Sequence, residues 1–135
     1  MARTAVLIAI AALASGCGKS SPADEVRSTV EGFAAAIADH DYQALCDRYF
    51  ATRLVSGLER AGLPCEAAIR PQIGATRKPT LEIRSIAITG DRARVRVHTA
   101  AENQPPSDDT LALARERDGW RIASLAEAGP QPLAP

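Results

Sequence analysis

Three patterns of apolar spacing succeed one another along this chain. The first is an unbroken run from Ala5 to Ala14, placed just after Arg3. It is too short for a spanning helix, which needs roughly 20 apolar residues. The second pattern is helical. Val26, Val30, Phe33 and Ile37 recur at steps of four, three and four, while Arg27 and Glu31 fall on the other side. Ser21 can cap this segment, Pro22 suits its first turn, and Asp24 completes a capping box. The spacing predicts a first helix from about Pro22 to Ala38. Asp39-His40-Asp41 breaks it, and Asp41 can cap a second helix with Tyr42, Leu45, Cys46 and Tyr49 on one side. Leu54, Val55 and Leu58 continue that spacing to about Arg60. Gly62 ends it, and Pro64 opens a short third helix that groups Cys65, Ala68, Ile69 and Ile73.

After Gly74 the period changes to two. Leu81 and Ile83 share one parity, Ile86 and Ile88 the other, which predicts a strand with a bulge near Arg84-Ser85. Gly90-Asp91 suits a tight hairpin turn. Ala93, Val95, Val97 and Thr99 then alternate with Arg92, Arg94, Arg96 and His98. Gln104-Pro105-Pro106-Ser107 reads as a loop, Leu111 and Leu113 as a third strand, and Asp118-Gly119 as a turn into a fourth. The fourth strand carries Trp120 and Ile122 on one face and Arg121 on the other. Helices followed by an antiparallel meander define an α+β fold: about three N-terminal helices packed on a curved four-stranded sheet. Residues 23–126 form the domain, and 127–135, with no periodicity, read as a flexible tail.

Length and charge bound the possibilities. The 135 residues allow one domain with a modest core. Lys and Arg number 16, as do Asp and Glu, so charge supplies no argument for nucleic acid. Three cysteines are an odd count for an exported chain, and the first of them explains it. Arg3, the apolar centre and the small residues Ser15-Gly16 before Cys17 read as an export signal. The stretch Leu13-Ala14-Ser15-Gly16-Cys17 resembles the bacterial lipobox, with Ala14 where Leu is usual. The resemblance implies cleavage before Cys17, a diacylglycerol on its sulfur, and a lipidated tether over 17–22 that holds the domain outside the cytoplasm. At about 0.8 kcal/mol per buried methylene, two or three acyl chains anchor firmly. The alternative is an ordinary signal peptide with an incidental cysteine. With Cys17 lipidated, Cys46 and Cys65 remain as one pair for a disulfide. Two buried free thiols or half a metal site are the other readings, and His40 and His98 show no paired ligand spacing for a metal.

Candidate chemistry is sparse. His98 shares a face with Arg92, Arg94 and Arg96 and reads as a surface histidine, and His40 reads as part of a capping turn. The three arginines form a basic stripe, which Arg121 is expected to extend. Contact with anionic headgroups or wall polymers is one reading, and a charged face that resists aggregation the other. Glu82, Asp91, Glu116 and Asp118 could neutralise it. No inward acid is expected in the apolar interior, and no catalytic residue, metal ligand or cofactor is assigned.

Arg117-Asp118-Gly119-Trp120-Arg121-Ile122 resembles the last hairpin of the nuclear transport factor two-like superfamily, which includes ketosteroid isomerases and polyketide cyclases. The break at Asp39-His40-Asp41-Tyr42 followed by Ala44-Leu45 is similar, as is the pairing of a helical cysteine with Cys65-Glu66 seen in small exported lipoproteins. The resemblance implies a cone-shaped, cystatin-like or nuclear transport factor two-like arrangement able to hold a pocket, whose lining is expected from Phe33, Ile37, Tyr42, Tyr49 and Trp120. The first functional reading is a membrane-anchored, non-catalytic lipoprotein that binds a small apolar ligand or a protein partner of the cell envelope. A structural or assembly role is a second reading. A pocket enzyme of hydrolase or isomerase type, using Tyr42, Tyr49 or an acid placed wrongly above, is a third.

Overall fold

The computed structural model describes residues 18–125. The stretch expected to be an export signal, Cys17, and residues 126–135 with the expected tail lie outside the described residues. The element order is α1 (Pro22–Ala38), α2 (Tyr42–Ala44) running into a π-helical turn (Leu45–Tyr49), α3 (Thr52–Arg60), α4 (Cys65–Ala75), then β1 (Thr80–Thr89), β2 (Arg92–Ala101), β3 (Gln104–Glu116) and β4 (Gly119–Ser124). The strands form one antiparallel sheet in the order β1-β2-β3-β4. Helices cover its inner face, giving the α+β architecture expected.

Helix α1 begins and ends as its sequence dictates. Ser21 Oγ accepts from the Asp24 N–H at 3.2 Å, and Asp24 Oδ2 accepts from the Ser21 N–H at 3.2 Å. At the other end His40 adopts φ 54°. The Asp41 N–H then donates to the Ala36 carbonyl and the His40 N–H to that of Ile37, a Schellman closure. The helix buries Val26, Val30, Phe33 and Ala36, and leaves Ile37 partly covered.

The expected continuous second helix is broken in two. The Phe50 N–H donates to the Leu45 carbonyl, one residue further than α-helical geometry, at 2.9 Å. The chain then extends at Phe50-Ala51, where Phe50 makes a parallel bridge to Ile122 and the Ala51 N–H donates to the Ile122 carbonyl at 2.8 Å. The outer edge of β4 thus captures two residues that local spacing assigned to a helix. Helix α3 restarts without a local cap. Glu116, distant in sequence, accepts from the Thr52 N–H at 3.0 Å and from its hydroxyl at 2.8 Å.

Two registers follow expectation and one does not. Arg84 is the extra residue of a bulge in β1, so Leu81, Ile83, Ile86 and Ile88 all pack on the core. Ala93, Val95, Val97, Leu111 and Leu113 face inward, as their alternation requires. Residues 104–107, however, are strand and not loop. Thr99 pairs with Ser107 and Ala101 with Gln104, so Pro105 and Pro106 bulge opposite Ala100. β4 pairs with β3 only from Ala112 onward, so the prolines withhold no donor that β4 needs.

Phe50, Leu45, Leu113 and Ile122 are among the largest fully buried side chains, and Phe33 meets Phe50 with ring centroids 6.0 Å apart. Cys46 and Cys65 are bonded across α-carbons 6.0 Å apart, tying the π turn to the start of α4. A loop of this length stabilises by about 3 kcal/mol in the chain-entropy model. Replacing both cysteines by Ala is therefore expected to lower the unfolding free energy by about that amount, read from the urea midpoint. A loss under about 1 kcal/mol would show that the bond does not staple the helices.

Candidate functional site

The inner face of the sheet is longer than the helices that cover it. At its far end, between the last turns of α1 and α4 and the ends of β1, β2 and β3, an open cleft of about 530 Å³ remains. Its apolar wall comes from Ala34, Ile37, Ile73, Pro79, Leu81 and Pro105. The linker between α4 and β1 closes one side. There Asn103 holds two strands of chain together: its side-chain amide donates to the Ala75 carbonyl at 2.7 Å, and its oxygen accepts from the Arg77 N–H at 3.0 Å. The Glu102 N–H donates to the Arg77 carbonyl at 2.9 Å.

A polar cluster stands on the sheet floor. Thr99 and Ser107 are cross-strand partners with hydroxyl oxygens 3.0 Å apart. Ser107 donates to Asp109 Oδ2 at 2.6 Å, and Thr99 Oγ1 lies 3.4 Å from the same oxygen. Asp109 pairs with inward-facing Val97 and is half-buried. An acid does therefore occupy the inner face, contrary to the expectation from sequence. Because 104–107 is strand, the inward parity of Leu113 and Leu111 continues back through Asp109 to Ser107.

The residues expected to line a pocket are dispersed. Ile37 alone among them reaches this cleft. Phe33 is buried in the core. Tyr42 lies under Arg70, whose guanidinium is 4.3 Å from the ring centroid, and close to Gly74. Tyr49 and Trp120 line a second, polar cleft at the opposite end, beside the start of α1. That cleft is laced by ion pairs, Arg115 to Glu25 at 3.0 Å and Arg121 to Asp118. Arg121 does not extend the basic stripe. Its side chain is only 14% exposed and donates to the Asp47 carbonyl at 2.8 Å.

His98 is on the outer face and meets Asp108 directly across the strands, Nδ1 to Oδ1 at 2.8 Å. The strand alternation thus separates His98-Asp108 from Thr99, Ser107 and Asp109. A serine, a histidine and two aspartates lie within a dozen residues, but on opposite sides of one sheet, so imidazole cannot activate Ser107 as in a triad. Among the described residues no group of three metal-ligating side chains converges, and no helix is long and apolar enough to cross a membrane.

The architecture matches known structures. A nuclear transport factor two (NTF2)-like protein of unknown function from Silicibacter pomeroyi superposes with a TM-score of 0.53 at 20% identity, over 75% of this chain and 89% of that one. A de novo designed NTF2-fold protein superposes with a TM-score of 0.51 at 16% identity, over 84% and 90%. The protein has the NTF2-like fold. No protein-family model and no curated protein matches the chain.

Three exposed carboxyls are held below the usual value of 3.8 by hydrogen bonds: Asp24 by Ser21, Asp108 by His98 and Asp118 by Arg121. A carboxyl depressed on folding contributes stability above its unfolded pKa and loses it as pH falls through the folded value. The urea midpoint should therefore hold down to about pH 5 and decline below about pH 4. Asp108→Asn should flatten that decline. An identical decline in the variant would remove the His98-Asp108 bond from the account.

Proposed function

We propose that this protein is a lipid-anchored, extracytoplasmic binding protein whose cleft at the open end of the cone takes a small, largely apolar molecule. The observation that carries the reading is the cleft itself. Its volume falls within the usual range for small-molecule sites, about 300–1,000 Å³. One wall is aliphatic, and hydroxyls and amides line the remainder. The core beside it is filled by Phe33, Phe50, Leu113 and Trp120, and the cleft at the opposite end is polar and laced by ion pairs, so the apolar ligand space is at this end.

The anchor rests on the lipobox-like residues before Cys17, and the fold is compatible with it. Gly18 to Ser21 are exposed, and four extended residues reach at most about 14 Å. With such a tether the start of α1 and the polar cleft would face the membrane. Ile37 lies fifteen residues along the helix from Pro22, about 22 Å away. The apolar cleft would then open away from the anchoring bilayer, and its ligand would come from the aqueous side or from a partner.

Two experiments test the halves separately. Cys17→Ser should move the exported protein from the membrane fraction to the soluble one, and a variant that stays wholly membrane-bound would defeat the anchor. For the cleft, N-phenyl-1-naphthylamine, a neutral apolar fluorophore, should bind the soluble domain saturably. Ile37→Arg should weaken it at least tenfold with the circular dichroism unchanged. A folded domain that shows no saturable signal would remove the binding reading.

A further inference from the structure

Beside the amides of Gln72 and Gln104, the latter donating to Thr76 Oγ1 at 3.3 Å, the hydroxyl groups of the cleft have a common bias, and it concerns protons. Four hydroxyls line it, from Thr76, Thr80, Thr99 and Ser107. Each has one hydrogen to donate and two lone pairs to accept with. Thr76 donates to the Gln72 carbonyl at 3.0 Å, and Thr80 to the Ala100 carbonyl at 3.4 Å. Ser107 donates to Asp109 at 2.6 Å. Thr99 has the Ser107 oxygen at 3.0 Å and the Asp109 carboxylate at 3.4 Å as its acceptors. Every hydroxyl proton is thus directed at an acceptor of the protein. What the hydroxyls offer a guest is lone pairs, backed by the negative charge of Asp109.

No lining residue carries a positive charge. The cations nearest in sequence, Arg77 and Lys78, are both paired with Glu102 at the rim and are 73% and 79% exposed. Water and Glu102 screen them. A guest carboxylate placed over Thr99 and Ser107 would meet oxygen lone pairs and a like charge, with no donor released to it. A guest ammonium at that spot would meet hydroxyl oxygens with the Asp109 carboxylate behind them, and charge-assisted hydrogen bonds are about twice as strong as neutral ones.

Resting on the binding reading of this cleft, we propose that its ligand is an aliphatic amine, bound as the ammonium. The alkyl part lies against Ile37, Ile73 and Leu81, and the N–H groups donate to Thr99 and Ser107, behind which the Asp109 carboxylate supplies the negative charge. Asp109 is the specificity-determining residue, and Ser107 holds its carboxylate in place.

The test is displacement of N-phenyl-1-naphthylamine from the soluble domain at pH 7 by three probes of equal chain length: octylamine, octanol and octanoate. Octylamine should displace at a concentration at least tenfold below octanoate, with octanol between. Asp109→Asn, which keeps the shape and removes the charge, should cut the octylamine advantage over octanol to under threefold. Ser107→Ala should reduce it in the same direction by less. If octanoate displaces as well as octylamine, or if the preference survives Asp109→Asn, the amine assignment is wrong while the cleft remains a binding site. If the fluorophore binds and none of the three displaces it, the assignment also fails. If the fluorophore itself does not bind, the cleft reading falls and takes the assignment with it.

Discussion

The structure depends on the seating of Phe50. Its side chain, 1% exposed, fills the space between Phe33 of α1 and the sheet. Its backbone and that of Ala51 leave the helix to bond with the edge of β4. One residue thereby joins the helical layer to the sheet through both packing and hydrogen bonds. Truncating a buried Phe costs about 3–5 kcal/mol in general, a large part of the stability of a domain this size. The nearby cross-links reinforce the same joint. The disulfide holds the π turn to α4, Arg121 binds the Asp47 carbonyl freed there, and Glu116 caps the helix that restarts beyond it.

That joint has a consequence at the other end of the molecule. Because the helices are pinned near β4, the closely packed core lies at the β3-β4 end. Toward Thr99 and Ser107 the sheet runs past Ile37 and Ile73 with no side chain large enough to close the gap. The cleft is the remainder of a curved sheet longer than its cover. Asn103 and the Glu102-Arg77 hydrogen bond keep its rim in place by tying the β2-β3 turn to the end of α4. A cavity of this origin is preformed, which spares a ligand the cost of ordering the site.

The two faces of the same strands carry different chemistry. Outside, Arg92, Arg94, Arg96 and His98 are solvated or paired, and Asp91, Glu82 and Asp108 balance charge on that face. Inside, the same two-residue period delivers valines and leucines, then Thr99, Ser107 and Asp109 where the helices stop. Acid-base pairs outside thus serve the surface, and acceptors inside serve the cleft.

How much of this was legible in the chain follows from the range of each interaction. The boundaries of α1, the bulge at Arg84, the hairpin at Gly90-Asp91 and the inward parity of Val95, Leu113, Trp120 and Ile122 are properties of a few consecutive residues, and the sequence by itself determined them. So did the α+β order of elements. The break at Phe50 was not legible, because the competing partner is Ile122, over seventy residues away, and helical spacing on both sides conceals it. Pro105 and Pro106 read as a loop for a sound local reason. Only the pairing map shows that they fall in a bulge where β4 is absent. The same pairing puts Asp109 on the inner face, where it accepts from Ser107. Tertiary structure alone decided that Tyr49 and Trp120 belong to one end and Ile37 to the other, since where a cone is filled and where it stays open is fixed by the lengths of its layers and not by the character of any one residue.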